Sequence, residues 1–209
     1  MKDGWVGIDG ILYRRQYSSY REYLTIQGSK LADRPGTAAK INDSMSGSLQ
    51  KTIALIQEQL PADGNVLCLG ARLGGEVEGF IQCGYFAIGI DINPGDRSRH
   101  VLLGDFHQLD FLDSSVDIVF TNSLDHAYDL KKLLGEVYRV LKPGGIFMTC
   151  NKGGVEEPVW RNAKSDGYDC MEWTELTKLC SYIEGQGFTM YYEFKTKGFT
   201  PHGRLFRKI

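Results

Sequence analysis

The chain has 209 residues, 42% of them hydrophobic, which suits one domain with a sizeable core. Its 24 basic and 26 acidic side chains leave a net charge of −2, so no overall basic field draws it to nucleic acid or anionic lipid, and no apolar run reaches transmembrane length. The five cysteines are odd in number and form no C-x-x-C pair, and the start MKDGWVGIDG has no apolar h-region, so a reducing, cytoplasmic setting is expected rather than a secreted disulfide framework.

Two parts are expected: an N-terminal helical arm, residues 1–45, as a candidate lid, and an alternating core, residues 46–209. In the arm, Tyr13, Tyr17, Tyr20, Leu24, Gln27 and Leu31 recur at steps of three and four, one face of an amphipathic helix that Pro35-Gly36 ends. Residues 31–48, rich in Gly, Ser, Asn and Asp, read as a mobile connection. In the core, Leu49, Ile53, Ile56 and Leu60 mark a helix over 48–60. Strands follow at 65–69, 86–90, 100–103, 116–121 and 146–150, and helices at 75–83, 130–141 and 176–183. Lys142-Pro143-Gly144-Gly145 stops the cleanest helical stripe, over 130–141. Residues 188–195 and 204–209 read as a closing hairpin, and its basic residues Lys195, Lys197, Arg204, Arg207 and Lys208 as a solvated face.

Short apolar strands alternating with helices predict an α/β fold with a doubly wound, mostly parallel sheet covered on both faces. Such sheets take ligands at the carboxyl ends of the strands, where the strand order reverses. The exit of the first core strand reads VLCLGARLGGEV, residues 66–77. Gly70 can take the tight turn there, and Gly74 and Gly75 allow a ligand close to the backbone. Asp91 ends the second core strand seventeen residues past Gly74, where a carboxylate can accept both ribose hydroxyls. Asp105-Phe106 ends the third, an acid for an exocyclic amine beside a ring that can pack on a base.

These blocks, with GDFHQLDFLDSSVDIVFTNSLDHAYDLKKLLGEVYRVLKPGGIFMT, resemble the class I S-adenosylmethionine-dependent methyltransferase family, of the type 11-like kind. The resemblance covers roughly residues 48–195 and implies a Rossmann-like, seven-stranded sheet with an antiparallel last strand. It implies S-adenosyl-L-methionine as cofactor and a small-molecule methyl acceptor as partner. Gly70 and Gly74 match the first and last glycines of the cofactor loop, with Ala71 and Ile92 beside the matched positions. Asp91 matches the ribose acid, Asp105 and Phe106 the adenine pair, and Asn122 a position facing cofactor and substrate. Two positions depart from the family. Cys68 stands where an acid is usual, and Arg72 stands at the middle glycine, where its guanidinium can pair with the methionyl carboxylate.

Methyl transfer needs alignment more than acid–base chemistry, so the family leaves no fixed catalytic signature. His126, in the loop after the fourth core strand, is the candidate base for an acceptor that must lose a proton, and Asp125 either orients it or caps the next helix. His107 is expected in packing or at the surface. No metal cluster is legible. The substrate cover is expected from the aromatic arm and from 151–170, with Trp160, Arg161 and Tyr168. Two other functions fit the same pattern: a non-catalytic adenosyl-binding protein, prompted by Cys68 and Arg72, and a nicotinamide oxidoreductase, for which Arg72 again breaks the glycine pattern.

Overall fold

A computed structural model describes residues 4–33, 35–95, 100–157, 167–196 and 202–209. It opens with a hairpin, β1 (Trp5–Ile8) and β2 (Leu12–Arg15), followed by α1 (Tyr20–Asp33) and α2 (Pro35–Ile56). Then come β3 (Asn65–Leu69), α3 (Gly75–Gln82), β4 (Phe86–Asp91), β5 (Val101–Leu103), β6 (Val116–Thr121), α4 (Leu130–Val140) and β7 (Leu141–Asn151). The chain closes with β8 (Met171–Trp173), α5 (Leu176–Glu184), β9 (Phe188–Lys195) and β10 (His202–Lys208).

Seven strands form one sheet in the order β5-β4-β3-β6-β7-β10-β9, with β10 antiparallel to both its neighbours. The fold class is the expected one, an open, mostly parallel sheet wound on both sides. Within each strand the side chains alternate between faces. Leu67, Leu69, Val119 and Phe147 face α4 and α5, and pack with Leu133, Leu134, Val137, Leu179 and Ile183. Val66, Cys68, Ile118 and Met148 face α2 and α3, and pack with Leu49, Ile53, Val77 and Phe80. Each fully buried aliphatic side chain contributes about 2 kcal/mol. Asp129 caps α4 by accepting from the Lys132 N–H at 3.0 Å, so the cap is Asp129 and not Asp125.

The N-terminal part departs from the expected helical arm. Tyr13 lies in β2, and the helix begins only at Tyr20. Asp9 and Gly10 both take positive φ (54° and 67°), the tight turn that joins antiparallel strands. β2 also pairs with β8, Leu12 opposite Trp173, to make a second, three-stranded sheet. Residues 35–48, expected as a mobile connection, belong to α2. The helix forms because α3 gives it a surface: a Cβ on Gly75 would lie 2.6 Å from the Asn42 carbonyl oxygen, and one on Gly79 3.0 Å from Leu49. Gly75 therefore admits α2, and not a ligand.

The basic end is the expected hairpin, with Lys195 and Arg207 exposed, but two of its cations are not free in solvent. Arg204 is buried and donates to Glu193 at 3.0 Å, and Lys208 donates to the Leu141 carbonyl at 2.7 Å. Lys197, Trp160 and Arg161 lie outside the described residues. All five cysteines are free. No helix among the described residues is long and apolar enough to cross a membrane.

Candidate active site

The strand order reverses between β3 and β6, and a crevice opens there at the carboxyl ends of the strands. It holds about 510 Å³ of empty space, including the part open to solvent. One wall is Gly70, Arg72, Asp91, Ile92, Phe106, Ser123 and His126; the other is α1, through Tyr23, Gln27, Lys30 and Leu31.

The loop after β3 keeps the turn its glycines require. Gly70 and Gly74 have φ of 70° and 88°, and a Cβ on Gly70 would meet Ser123 Oγ at 2.9 Å. Arg72 also takes a left-handed backbone, φ 44°, at a position where a side chain is disfavoured by about 1 kcal/mol. The arginine thus adopts the conformation of the glycine it replaces. Asp91 holds the loop: its Oδ2 accepts from the Arg72 N–H at 3.0 Å and its Oδ1 from the Asn93 N–H at 2.8 Å. Burial raises the Asp91 carboxyl above the usual range, against those two amide bonds. Ala71 is buried, its methyl beneath Gly89, and is packed away from the crevice wall.

Asp105 sits in a network centred on His107, which is buried and not at the surface. His107 Nε2 accepts from the backbone N–H of Tyr128 and of Asp129, at 3.1 and 3.2 Å, so Nδ1 carries the proton. That proton goes to Asp105 Oδ1 at 2.9 Å, while the Tyr20 hydroxyl donates to Oδ2. Burial would raise the Asp105 carboxyl, but the bonds from His107 and Tyr20 outweigh it and hold it below the usual range. Asn122 donates not into the crevice but to Glu76 Oε1 at 3.2 Å.

His126 ends a 3-10 turn, Leu124–His126, after β6. Its Nδ1 lies 3.0 Å from the Tyr168 carbonyl, which can only accept, and its Nε2 lies 2.9 Å from the Lys30 ammonium, which can only donate. Both contacts fix the same tautomer, with the Nε2 lone pair facing α1. Asp125 turns to Lys152 at 3.2 Å, and Lys152 also meets Asp169 at 2.8 Å. Asp125, His126 and Asp169 form the one group among the described residues that could hold a metal ion, and the Lys152 ammonium already pairs with both of its carboxylates.

Sequence reasoning missed Tyr20, Lys30, Glu76 and Lys152. Only Tyr20 and the Gln27 beside Lys30 carried a signal, as members of the tyrosine stripe. The acceptors and the turn fit an adenosyl amino acid: a carboxylate for a diol, a carboxylate beside an aromatic ring for an amine, and a glycine loop for close approach.

A seven-stranded sheet of this order and direction, with a glycine turn after the first parallel strand and an acid after the second, defines the class I methyltransferase fold. A structure of 1,6-didemethyltoxoflavin-N1-methyltransferase from Burkholderia thailandensis, with bound 1,6-didemethyltoxoflavin and S-adenosylhomocysteine, matches with a TM-score of 0.70 over 98% of each chain, at 14% identity. The methyltransferase-domain family model matches residues 67–149. A sterol 24-C-methyltransferase of Yarrowia lipolytica is 46% identical over 101 residues, 47% of this chain and 23% of the relative. A malonyl-[acyl-carrier protein] O-methyltransferase of Yersinia pestis is 32% identical over 99 residues, 44% of this chain and 37% of the relative. The chain therefore spans well under half the length of these relatives. The segment from β3 to β7 is similar to the methyltransferase-domain family, and the fold is that of the class I methyltransferases.

Proposed function

We propose that the protein transfers the methyl group of S-adenosylmethionine to a small-molecule acceptor. The observation that carries this is Asp91, held at the end of β4 by the Arg72 and Asn93 amides beside the glycine turn, within the segment that matches the family. Gly70 and Gly74 with Arg72 would seat the cofactor, Asp91 its ribose, and Asp105, Phe106 and Ile92 its base. Ala71 and Asn122 support this wall from behind, through packing and through Glu76. When bound, the cofactor supplies a methyl group on a sulfonium, with a thioether as leaving group.

His126 is the general base in this scheme. Tyr168 holds the Nδ1 proton, and Nε2 receives the proton that an acceptor hydroxyl or amine loses as its lone pair bonds to the methyl carbon. Lys30 occupies that lone pair here, so α1 withdraws Lys30 before the base acts. The arm thus serves as a lid: α1 ties itself across the crevice through Tyr23 to the His126 carbonyl at 3.0 Å and through Asn93 to the Gly28 carbonyl at 2.6 Å. The names of the relatives differ in acceptor, which supports methyl transfer without choosing among sterols, acyl carriers and amines. The test is labelled methyl transfer over a panel of hydroxyl and amine acceptors. An accepted substrate should lose about 10²-fold or more in kcat with His126→Ala, while S-adenosylhomocysteine still binds. Full turnover by that variant removes His126 as the base.

A further inference from the structure

Arg204 is the one lysine or arginine among the described residues that is buried, with 5% of its surface exposed. Its Nη2 donates to Glu193, whose side chain is 54% exposed. Its Nε and Nη1 have no partner among the described residues. Asn151, 3% exposed, is in the same state. Its Oδ1 accepts from Thr149 Oγ1 at 3.2 Å, while its Nδ2 has no partner. The two residues are neighbours. Arg204 of β10 is paired with Thr149 of β7, and Asn151 is the next residue on the face of Thr149. Arg204 and Asn151 therefore stand on a cross-strand diagonal, which one small group can bridge. Both are on the α5 side of the sheet, the side of Phe147 and Phe206 in the same two strands.

Buried polar groups are satisfied as a rule, and these three nitrogens can only donate. What they lack is a group rich in acceptor oxygens. Glu193, half in solvent, counters the guanidinium charge only in part. The corner lies at the carboxyl end of β7, the end of the sheet at which the crevice opens, yet neither residue lines that crevice. Lys152, next to Asn151, pairs with Asp125, next to His126. We propose that Arg204 and Asn151 form a subsite for a carboxylate, and that this is the carboxylate of the methyl acceptor. A carboxylate has two oxygens with about four lone-pair sites and donates nothing, so it satisfies these nitrogens without adding a donor. Its identification with the acceptor rests on the methyl-transfer reading; the subsite itself does not. A free anion would use the same donors, and the test separates the two sources.

Acetate is the probe for the subsite, with acetamide at equal concentration and sodium chloride at equal ionic strength as controls. Acetate should raise the Tm of the wild type saturably, and the controls should not. Arg204→Gln should shift the acetate midpoint upward by about tenfold or more. No rise specific to acetate leaves water as the filler and overturns the subsite, as does an unchanged midpoint in the variant. Should Arg204→Gln fail to fold, Asn151→Asp decides. It keeps the oxygen to which Thr149 donates and replaces the free donor with a negative charge, so the acetate response should vanish; a retained response overturns the subsite. Labelled methyl transfer then identifies the occupant. Over a panel of hydroxy and amino acids and their primary amides, the acids should exceed the amides by about tenfold or more in kcat/KM, and Arg204→Gln should erase the preference. Acetate binding without that preference, or turnover of neither class by protein that binds S-adenosylhomocysteine, overturns the acceptor role and leaves a free anion as occupant. Protein that neither binds S-adenosylhomocysteine nor methylates any acceptor overturns the methyl-transfer reading, and the acetate result still decides the subsite.

Discussion

Replacing Glu76 with Gln should stabilise the ligand-free protein at pH 8 and change it little at pH 5. Gln keeps an oxygen to accept from Asn122 and removes the poorly solvated charge. The Glu76 carboxyl is raised from 4.5 to about 7 by burial. A group raised in the folded state favours folding at low pH, and that contribution is fully present below 4.5 and lost as pH rises through 7. The difference of about 2.5 pH units corresponds to about 3 kcal/mol once both states are ionised, at 1.36 kcal/mol per unit. At pH 5 less than about 1 kcal/mol of it has been lost. For a chain of this size 1 kcal/mol moves Tm by about 2–4 °C. Thermal unfolding from pH 5 to pH 8 should therefore show the Glu76→Gln curve rising above wild type by about 5–10 °C at the alkaline end. Parallel curves across that range would refute the placement of Glu76 in a poorly solvated site.

The α1 lid depends on the Tyr20 hydroxyl at Asp105, so Tyr20→Phe should speed amide hydrogen exchange over 20–33 several-fold, and unchanged protection would show that the hydroxyl does not hold the lid. A Cβ on Gly154 would lie 2.2 Å from the Thr174 carbonyl oxygen and against backbone that cannot rotate away, so Gly154→Ala should cost about 2 kcal/mol or more in urea unfolding. Removal of the α4 cap in Asp129→Ala should cost about 1 kcal/mol, read as a Tm lower by about 2–4 °C. Lys152→Met leaves Asp125 and Asp169 facing each other without their cation and should destabilise by about 3 kcal/mol at pH 7, read by urea unfolding; an unchanged midpoint would show that the cation does not hold the pair.

The core was legible because its strands are apolar on both faces and bounded by turn residues. β3, β6 and β9 fall where the sequence puts them, and α4 stops where Lys142-Pro143-Gly144-Gly145 begins. The N-terminal part was misread because Tyr13 and Tyr17 fall in helical step with Tyr20 by accident. The correcting signal was present: Asp9-Gly10 is a hairpin dipeptide, and Ser19-x-x-Glu22 is a capping box whose Ser19 Oγ accepts from the Glu22 N–H at 3.1 Å. β8 was not legible, since its three residues are a strand only by pairing with β2, more than 150 residues earlier. In the site, residues that carry the backbone turn declared themselves through glycine and spacing. Glu76 and Lys30 did not, because each gains its meaning from a neighbour on another element: Asn122 for the first, His126 for the second.

The account stands on the crevice at Gly70, Arg72 and Asp91 being an adenosyl-cofactor site. Titration of the purified protein with S-adenosylhomocysteine, and separately with NAD, tests that most directly. Saturable binding of S-adenosylhomocysteine at one site per chain, with no heat from NAD, is the predicted result. Binding of NAD alone, or of neither, would contradict it.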